Sequence, residues 1–182
     1  MQASAAESLS GDRQTAEENL RLAMKTVDSS REELRNCIWD LRNQALDEKD
    51  MNVAIPRTVQ PHVSGAALTV RFNVPRALLS DNTTHALLRI IRELATNAVR
   101  HGGAKSIRIA GALEDGRILF SVTDDGRGFD PDDHPGIAEG HFGLQGVAER
   151  VRRLGGRMTV ESAPGRGARI ALSLRTYKTG NG

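Results

Sequence analysis

SVTDDGRGFDP, residues 121–131, ends a run of alternating apolar residues with two aspartates and two glycines in close succession. The preceding residues 117–124 (RILFSVTD) have the period of a half-buried strand, so Asp124 falls on its last position and a loop opens directly after it. Asp and Gly are the commonest turn residues, and Asp-Gly alone is a hairpin signal. The stretch is therefore either a turn or a place where a strand end presents a carboxylate to a ligand, beside glycines that let backbone come close. The flanking segments have to decide between these.

Residues 105–112 (KSIRIAGA) pair with residues 117–124 as a hairpin through Glu114-Asp115-Gly116. Upstream, residues 67–74 alternate as another strand ending at Pro75. Residues 83–100 then switch to a helical period, with Leu87, Leu88, Ile90, Ile91, Leu94, Ala95, Ala98 and Val99 on a broad apolar face stopped by Gly102-Gly103. Downstream, residues 125–142 are too polar and broken to be an element, and loops of that length inside compact domains usually carry function or move. A helix over residues 143–154 and strands over 157–163 and 168–175 complete the pattern. The order of strands and helices indicates an α+β fold, an α/β sandwich with a mixed sheet packed on helices.

The amino-terminal part reads differently. Residues 12–48 contain no Pro or Gly and carry a seam of Leu20, Met24, Val27, Leu34, Ile38, Leu41 and Ala45 at spacings of three and four, with Arg31 in the one non-apolar position. This heptad rhythm predicts one long helix suited to a partner helix, with residues 1–9 as the end of a preceding helix. From Met51 to Gly65 the pattern loosens around Pro56 and Pro61, which reads as a linker with a short helix. The expected division is helical residues 1–50, linker 51–65, sandwich domain 66–176 and a tail at 177–182.

Composition narrows the function. The chain has 182 residues, a net charge of +2 and only 3% aromatic residues, which speaks against nucleic acid as a partner. Cys37 is the single cysteine, no signal peptide is evident, and no apolar run reaches the ~20 residues that cross a bilayer. A cytoplasmic location without membrane contact by the chain itself is expected, and the chain could still be a piece of a longer membrane protein.

The chemistry-bearing residues gather in two places. In RELATNAVRHGG, residues 92–103, Glu93, Asn97 and His101 are spaced four apart and form a polar stripe on a largely apolar helix, with Arg100 beside it. Each alone is ordinarily structural. Together, a carboxylate, an amide whose oxygen suits magnesium, and cations that offset phosphate charge point to metal and phosphate handling. The second place is the loop: Gly126 and Gly128 follow Asp124, and Gly143 and Gly146 open the next helix, whose amides would face anions. No GxxxxGK[ST] loop and no convincing GxGxxG occurs. A buried carboxylate at the strand end could instead accept a hydrogen bond from an exocyclic amine such as that of adenine.

Residues 93–101 (ELATNAVRH), 124–129 (DDGRGF), 142–146 (FGLQG) and 165–167 (GRG) resemble, in order and spacing, the N box and glycine boxes of the ATP-binding domain shared by histidine kinases, gyrase, Hsp90 and MutL. The resemblance runs over about residues 66–175 and is closest to sensor histidine kinases of the NarX, LiaS and DesK type, whose helix before the ATP domain reads much like REELRNCIWDLR. It implies a Bergerat-type fold and two ligands, ATP and Mg2+. Asp124 would bind adenine, with Gly126 and Gly128 shaping its pocket. Asn97 would hold the metal, and Glu93 would orient water or assist proton transfer. Arg100 and His101 would lie near the phosphates, and Gly143, Leu144, Gln145 and Gly146 would enclose them beside a lid at residues 129–142. Asp125 is expected to be a solvent-facing turn residue whose replacement matters little.

The implied activity is transfer of the ATP γ-phosphoryl to a histidine and then to an aspartate of a response-regulator receiver domain, with dimerisation helices of a second subunit as a further partner. Kinases of this type carry the acceptor histidine on the first dimerisation helix in a motif such as HDxxxQ. Here His62, His85, His101, His134 and His141 all lie outside residues 1–48. A catalytic fragment that does not autophosphorylate alone is expected. Ala168 also departs from the Thr often found there. The rival readings are a nucleotide-binding regulatory module, or pseudokinase, and an anti-sigma-type serine kinase; the long helix argues against the latter.

Overall fold

The computed structural model describes residues 47–131 and 142–175, together with residues 15, 16, 19, 20, 22–24, 26 and 27. The chain divides into two units, residues 1–43 and 44–182. In the first, the described residues are helical, with Leu20, Leu22, Met24 and Val27 each 58–62% exposed. The rest of the expected seam, Leu34 to Leu41 and Ala45, lies outside the described residues.

The second unit is a mixed five-stranded sheet with helices on one face. Its elements are α1 (Met51–Val59), β1 (Ala67–Asn73), α2 (Asp81–Arg100), β2 (Ser106–Glu114), β3 (Arg117–Asp124), α3 (Phe142–Arg153), β4 (Arg157–Ser162) and β5 (Ala168–Arg175). The sheet order is β1-β2-β3-β5-β4; β1 runs parallel to β2, and the other neighbours are antiparallel. One parity of side chains is buried: Ile107 and Ile109 on β2, Ile118, Phe120 and Val122 on β3, and Ile170, Leu172 and Leu174 on β5. These meet Leu87, Leu88, Ile90, Ile91 and Leu94 of α2, which makes one continuous core. Asp124 continues the buried parity of β3, so its side chain faces the helical layer at the end of the strand.

Local chemistry explains the boundaries. The Ser80 side chain accepts from the Thr83 amide at 3.1 Å and starts α2 two residues earlier than the hydrophobic period predicts. Asp115 and Gly116 both have positive φ, 47° and 71°, as the two-residue hairpin between β2 and β3 requires. The segment read as a linker with a short helix has that helix, but α1 is more than a spacer. Met51, Ala54, Ile55 and Val59 are at most 1% exposed, so it is part of the core of this unit. Pro56 sits inside α1 and Pro61 in a following single turn of 3-10 helix, residues 60–62. Packing of the apolar face outweighs the lost amide hydrogen bond. The Asn52 side chain accepts from the Phe72 amide at 2.8 Å and donates to the Phe72 carbonyl at 3.0 Å, which satisfies backbone groups on the edge strand β1.

Asp125 corrects an expectation. It is exposed, but its Oδ1 accepts the amides of Lys105 and Ser106 at 2.8 Å each, pinning the loop after β3 to the start of β2. These backbone donors hold the Asp125 carboxyl below its ordinary pKa of 3.8. A lowered pKa means stability present above the unfolded value and lost as pH falls through the folded one. Asp125→Ala is therefore expected to lower the melting temperature at pH 7, and the difference from wild type should shrink when melting is followed below pH 3.8.

Candidate functional site

Two parts of the fold converge on the loop after β3. The carbonyl of Gly102, just past α2, accepts the Arg127 amide at 2.8 Å, so the end of the polar-stripe helix is fastened to the Asp-Gly loop. The other side of the loop is held by the β4–β5 turn. The Gly165 amide donates to the Arg127 carbonyl at 2.6 Å, and the Phe129 amide donates to Ser162 Oγ at 2.9 Å. Ser162 Oγ in turn donates to the Gly167 carbonyl at 2.9 Å. Gly102 and Ser162 were not among the sequence candidates, because neither residue type is distinctive and their partners lie far off in the chain.

Asp124 is half-buried within this frame. Its Oδ1 accepts the Gly126 amide at 2.8 Å. Burial lifts its pKa above the ordinary 3.8, against the opposing pull of the Gly126 and Ala168 amides. A hollow that borders its strand end belongs mainly to the other face of the sheet, being lined by Thr123, Glu161 and Arg169 of the outward parity with Ser162, Ala163 and Arg166 at the β4–β5 turn. Gly126 is buried, and a Cβ there would lie 2.8 Å from the Gly102 carbonyl oxygen and 2.9 Å from Asp124 Oδ1. At Gly128, φ is +62° and a Cβ would lie 2.1 Å from the Ala163 carbonyl oxygen. Both glycines are thus demanded by the loop itself, whatever it binds.

The stripe on α2 is present as the spacing predicts. Glu93 and Asn97 are half-buried, and Asn97 Nδ2 donates to Glu93 Oε1 at 3.4 Å. That bond leaves the amide oxygen, the harder donor, for a cation. Arg100 ends the helix and His101 caps it, both exposed, and the Arg100 charge also complements the helix dipole. Gly143, Leu144, Gln145 and Gly146 all fall in the first turns of α3, with Gln145 and Gly146 exposed. A Cβ on Gly146 would meet nothing within 4 Å. Most of the expected lid, with His134 and His141, lies outside the described residues. No group of three or more His, Cys, Asp or Glu that could hold a metal occurs among the described residues. A divalent ion at Asn97 would therefore need further oxygens brought by a ligand.

A family model described as "Histidine kinase-, DNA gyrase B-, and HSP90-like ATPase" matches residues 82–178, just over half of the chain. The chain belongs to this ATPase family. Among curated proteins it is 30% identical over 159 residues to the "Signal transduction histidine-protein kinase/phosphatase DegS" of Brevibacillus brevis, an overlap of 85% of this chain and 40% of that protein. It is 30% identical over 173 residues to the "Nitrate/nitrite sensor protein NarQ" of Escherichia coli, covering 93% of this chain and 30% of that protein. The chain thus spans well under two thirds of these relatives. Among solved structures, the ATP binding domain of PrrB from Mycobacterium tuberculosis aligns with a TM-score of 0.54 at 20% identity, covering 71% of this chain and 96% of that one. The histidine kinase-like ATPase fold expected from the sequence is the fold observed. No helix among the described residues is long and apolar enough to cross a membrane.

Proposed function

We propose that this chain is the ATP-binding catalytic part of a two-component sensor histidine kinase. It binds ATP with magnesium and passes the γ-phosphoryl to a histidine on another segment, from which it goes to an aspartate of a response regulator. The observation that carries the reading is the half-buried Asp124 carboxylate, fixed by the Gly126 amide on the helical face at the end of β3, beside a loop whose Gly126 and Gly128 leave no room for a side chain. An exocyclic amine of adenine would supply a further donor to this carboxylate beside the Gly126 amide. Asn97 would offer magnesium an oxygen of the hardness it prefers, with Glu93 orienting water on it or assisting proton transfer, and the nucleotide phosphates would supply further oxygens. Arg100, His101 and the amides opening α3 offset phosphate charge. Positioning and charge stabilisation do most of the work in phosphoryl transfer, so this donor set is adequate for the chemistry. Dimerisation through residues 1–50 and recognition of a receiver domain belong to the same proposal.

Two measurements test it. Labelled ATP is incubated with the chain and a separately produced helical domain bearing an acceptor histidine; acid-labile label on that domain is expected, and binding without transfer would leave only a regulatory module. Asp124→Asn is expected to weaken ATP binding by about 1 to 3 kcal/mol, the range for leaving a buried polar group without its partner. The raised pKa of Asp124 gives this variant a second signature. A raised carboxyl contributes stability below its unfolded pKa that is lost as pH rises through the folded one, so ionised Asp124 destabilises the free protein at neutral pH. Asp124→Asn should therefore melt higher than wild type at pH 7 while binding ATP less well. Lower melting with unchanged affinity would remove Asp124 from the site.

A further inference from the structure

Three residues stand in a row at one end of the sheet. Asp124 is opposite Ala168 in the β3–β5 ladder, and Ala168 is opposite Ser162 in the β4–β5 ladder. Cross-strand partners share a face, so Ser162 lies two strands from Asp124 with only the small Ala168 between them. The half-buried Ser162 hydroxyl is engaged twice: Oγ accepts the Phe129 amide and donates to the Gly167 carbonyl, each at 2.9 Å. Gly128, next to Phe129, sits against the same carbonyl, since a Cβ on it would lie 2.7 Å from the Gly167 oxygen. Gly167 in turn presses on the end of β3, where its own Cβ would lie 2.1 Å from the Asp124 carbonyl oxygen. The Gly167 peptide thus touches the end of β3 on one side and the loop at Gly128 on the other, and Ser162 fixes its orientation. Other fastenings of the loop, from the Gly102 carbonyl to the Arg127 amide and from the Gly165 amide to the Arg127 carbonyl, run backbone to backbone. The Ser162 hydroxyl is a fastening that one substitution deletes.

We propose that Ser162 is a positioning residue for the nucleotide site, its hydroxyl setting the loop against β5 so that the Asp124 carboxylate is held where it meets the adenine amine. The functional half of this rests on the kinase reading; the structural half, that the hydroxyl sets the seat of Asp124, does not. The full chain is compared with Ser162→Ala, which deletes the hydroxyl, and Ser162→Thr, which keeps it, with melting curves to confirm folding. The Gly126 amide bonds Asp124 Oδ1 rather than Ser162, so its resonance in the ligand-free chain reports the seat and not the deleted contact. It should move in Ser162→Ala together with Phe129 and Gly167, and stay near wild type in Ser162→Thr. Movement confined to Phe129 and Gly167 would make the hydroxyl a local clasp and overturn the proposal, as would equal movement of Gly126 in Ser162→Thr.

Nucleotide binding tests the functional half. Ser162→Ala should bind ATP with magnesium about tenfold more weakly, the scale of one lost hydrogen bond. The loss should raise KM, with little change in the rate of transfer to a supplied acceptor domain at saturating ATP. Added to Asp124→Asn, it should cost little more, because both changes act through one carboxylate. Unchanged ATP affinity in Ser162→Ala, multiplying losses in the double variant, or a slower transfer at unchanged KM would each sink the positioning role. If Asp124→Asn binds ATP as wild type does, the functional half falls with the adenine reading of Asp124, and the Gly126 resonance alone decides whether Ser162 sets the seat.

Discussion

Asn97→Ala should reduce magnesium-dependent phosphoryl transfer by about 100-fold or more, the scale at which losing one preorganised electrostatic partner registers in a rate. The fold has little stake in the amide. Asn97 is half-buried on α2 between Leu94 and Ala98, and among the described residues its side chain bonds only Glu93, at 3.4 Å. Alanine is the better helix former, so the variant should melt at or above the wild-type temperature. The loss should follow the metal: with EDTA present, wild type and Asn97→Ala should bind ATP alike, and only with magnesium should they separate. Because Asn97 also holds Glu93, Asn97→Asp is a useful companion that keeps an oxygen donor while removing the N–H. Equal affinity and rate in Asn97→Ala with magnesium present would move the metal elsewhere.

Much of this arrangement was legible because helices and strands impose their periods on buried residues. Leu87 to Ala98 mark the buried face of α2, and the alternation in residues 117–124 places Asp124 on the inner face of β3. The spacing of Glu93 and Asn97 survives into a real contact for the same reason: i and i+4 are neighbours on any helix. What local pattern hides is long-range bonding. α1 looked like linker because Pro56 and Pro61 are local breakers, whereas its burial against α2 and β1 is a tertiary fact. Asp125 looked like a turn residue because turn chemistry explains an aspartate before glycine, and its bonds to Lys105 and Ser106 cross about twenty residues of chain. Ser162 is hidden in the same way, linking Phe129 to Gly167 through one hydroxyl.

The same distinction divides the glycines, which the sequence presents as one class of ligand-facing residues. Gly167 is buried with φ +68°, and a Cβ there would lie 2.1 Å from the Asp124 carbonyl oxygen. That oxygen cannot retreat easily, because Asp124 is paired with Ala168 in the β3–β5 ladder and Gly167 accepts from Ser162. Left-handed backbone costs an alanine about 1 to 2 kcal/mol, and forcing a methyl into closed packing adds about 1 to 3 kcal/mol. Gly167→Ala should therefore destabilise the domain by about 2 to 5 kcal/mol, a fall in melting temperature on the order of 10 °C. It should weaken ATP binding as well, since the displaced strand end carries Asp124. Gly146→Ala is the opposite case: its Cβ meets nothing within 4 Å, and it lies inside α3. Alanine there should raise the melting temperature through helix propensity, so any loss of ATP affinity in that variant must come from the ligand side. A Gly167→Ala protein melting at the wild-type temperature would mean the β4–β5 turn can yield, and the rigid seat assigned to Asp124 would be lost with it.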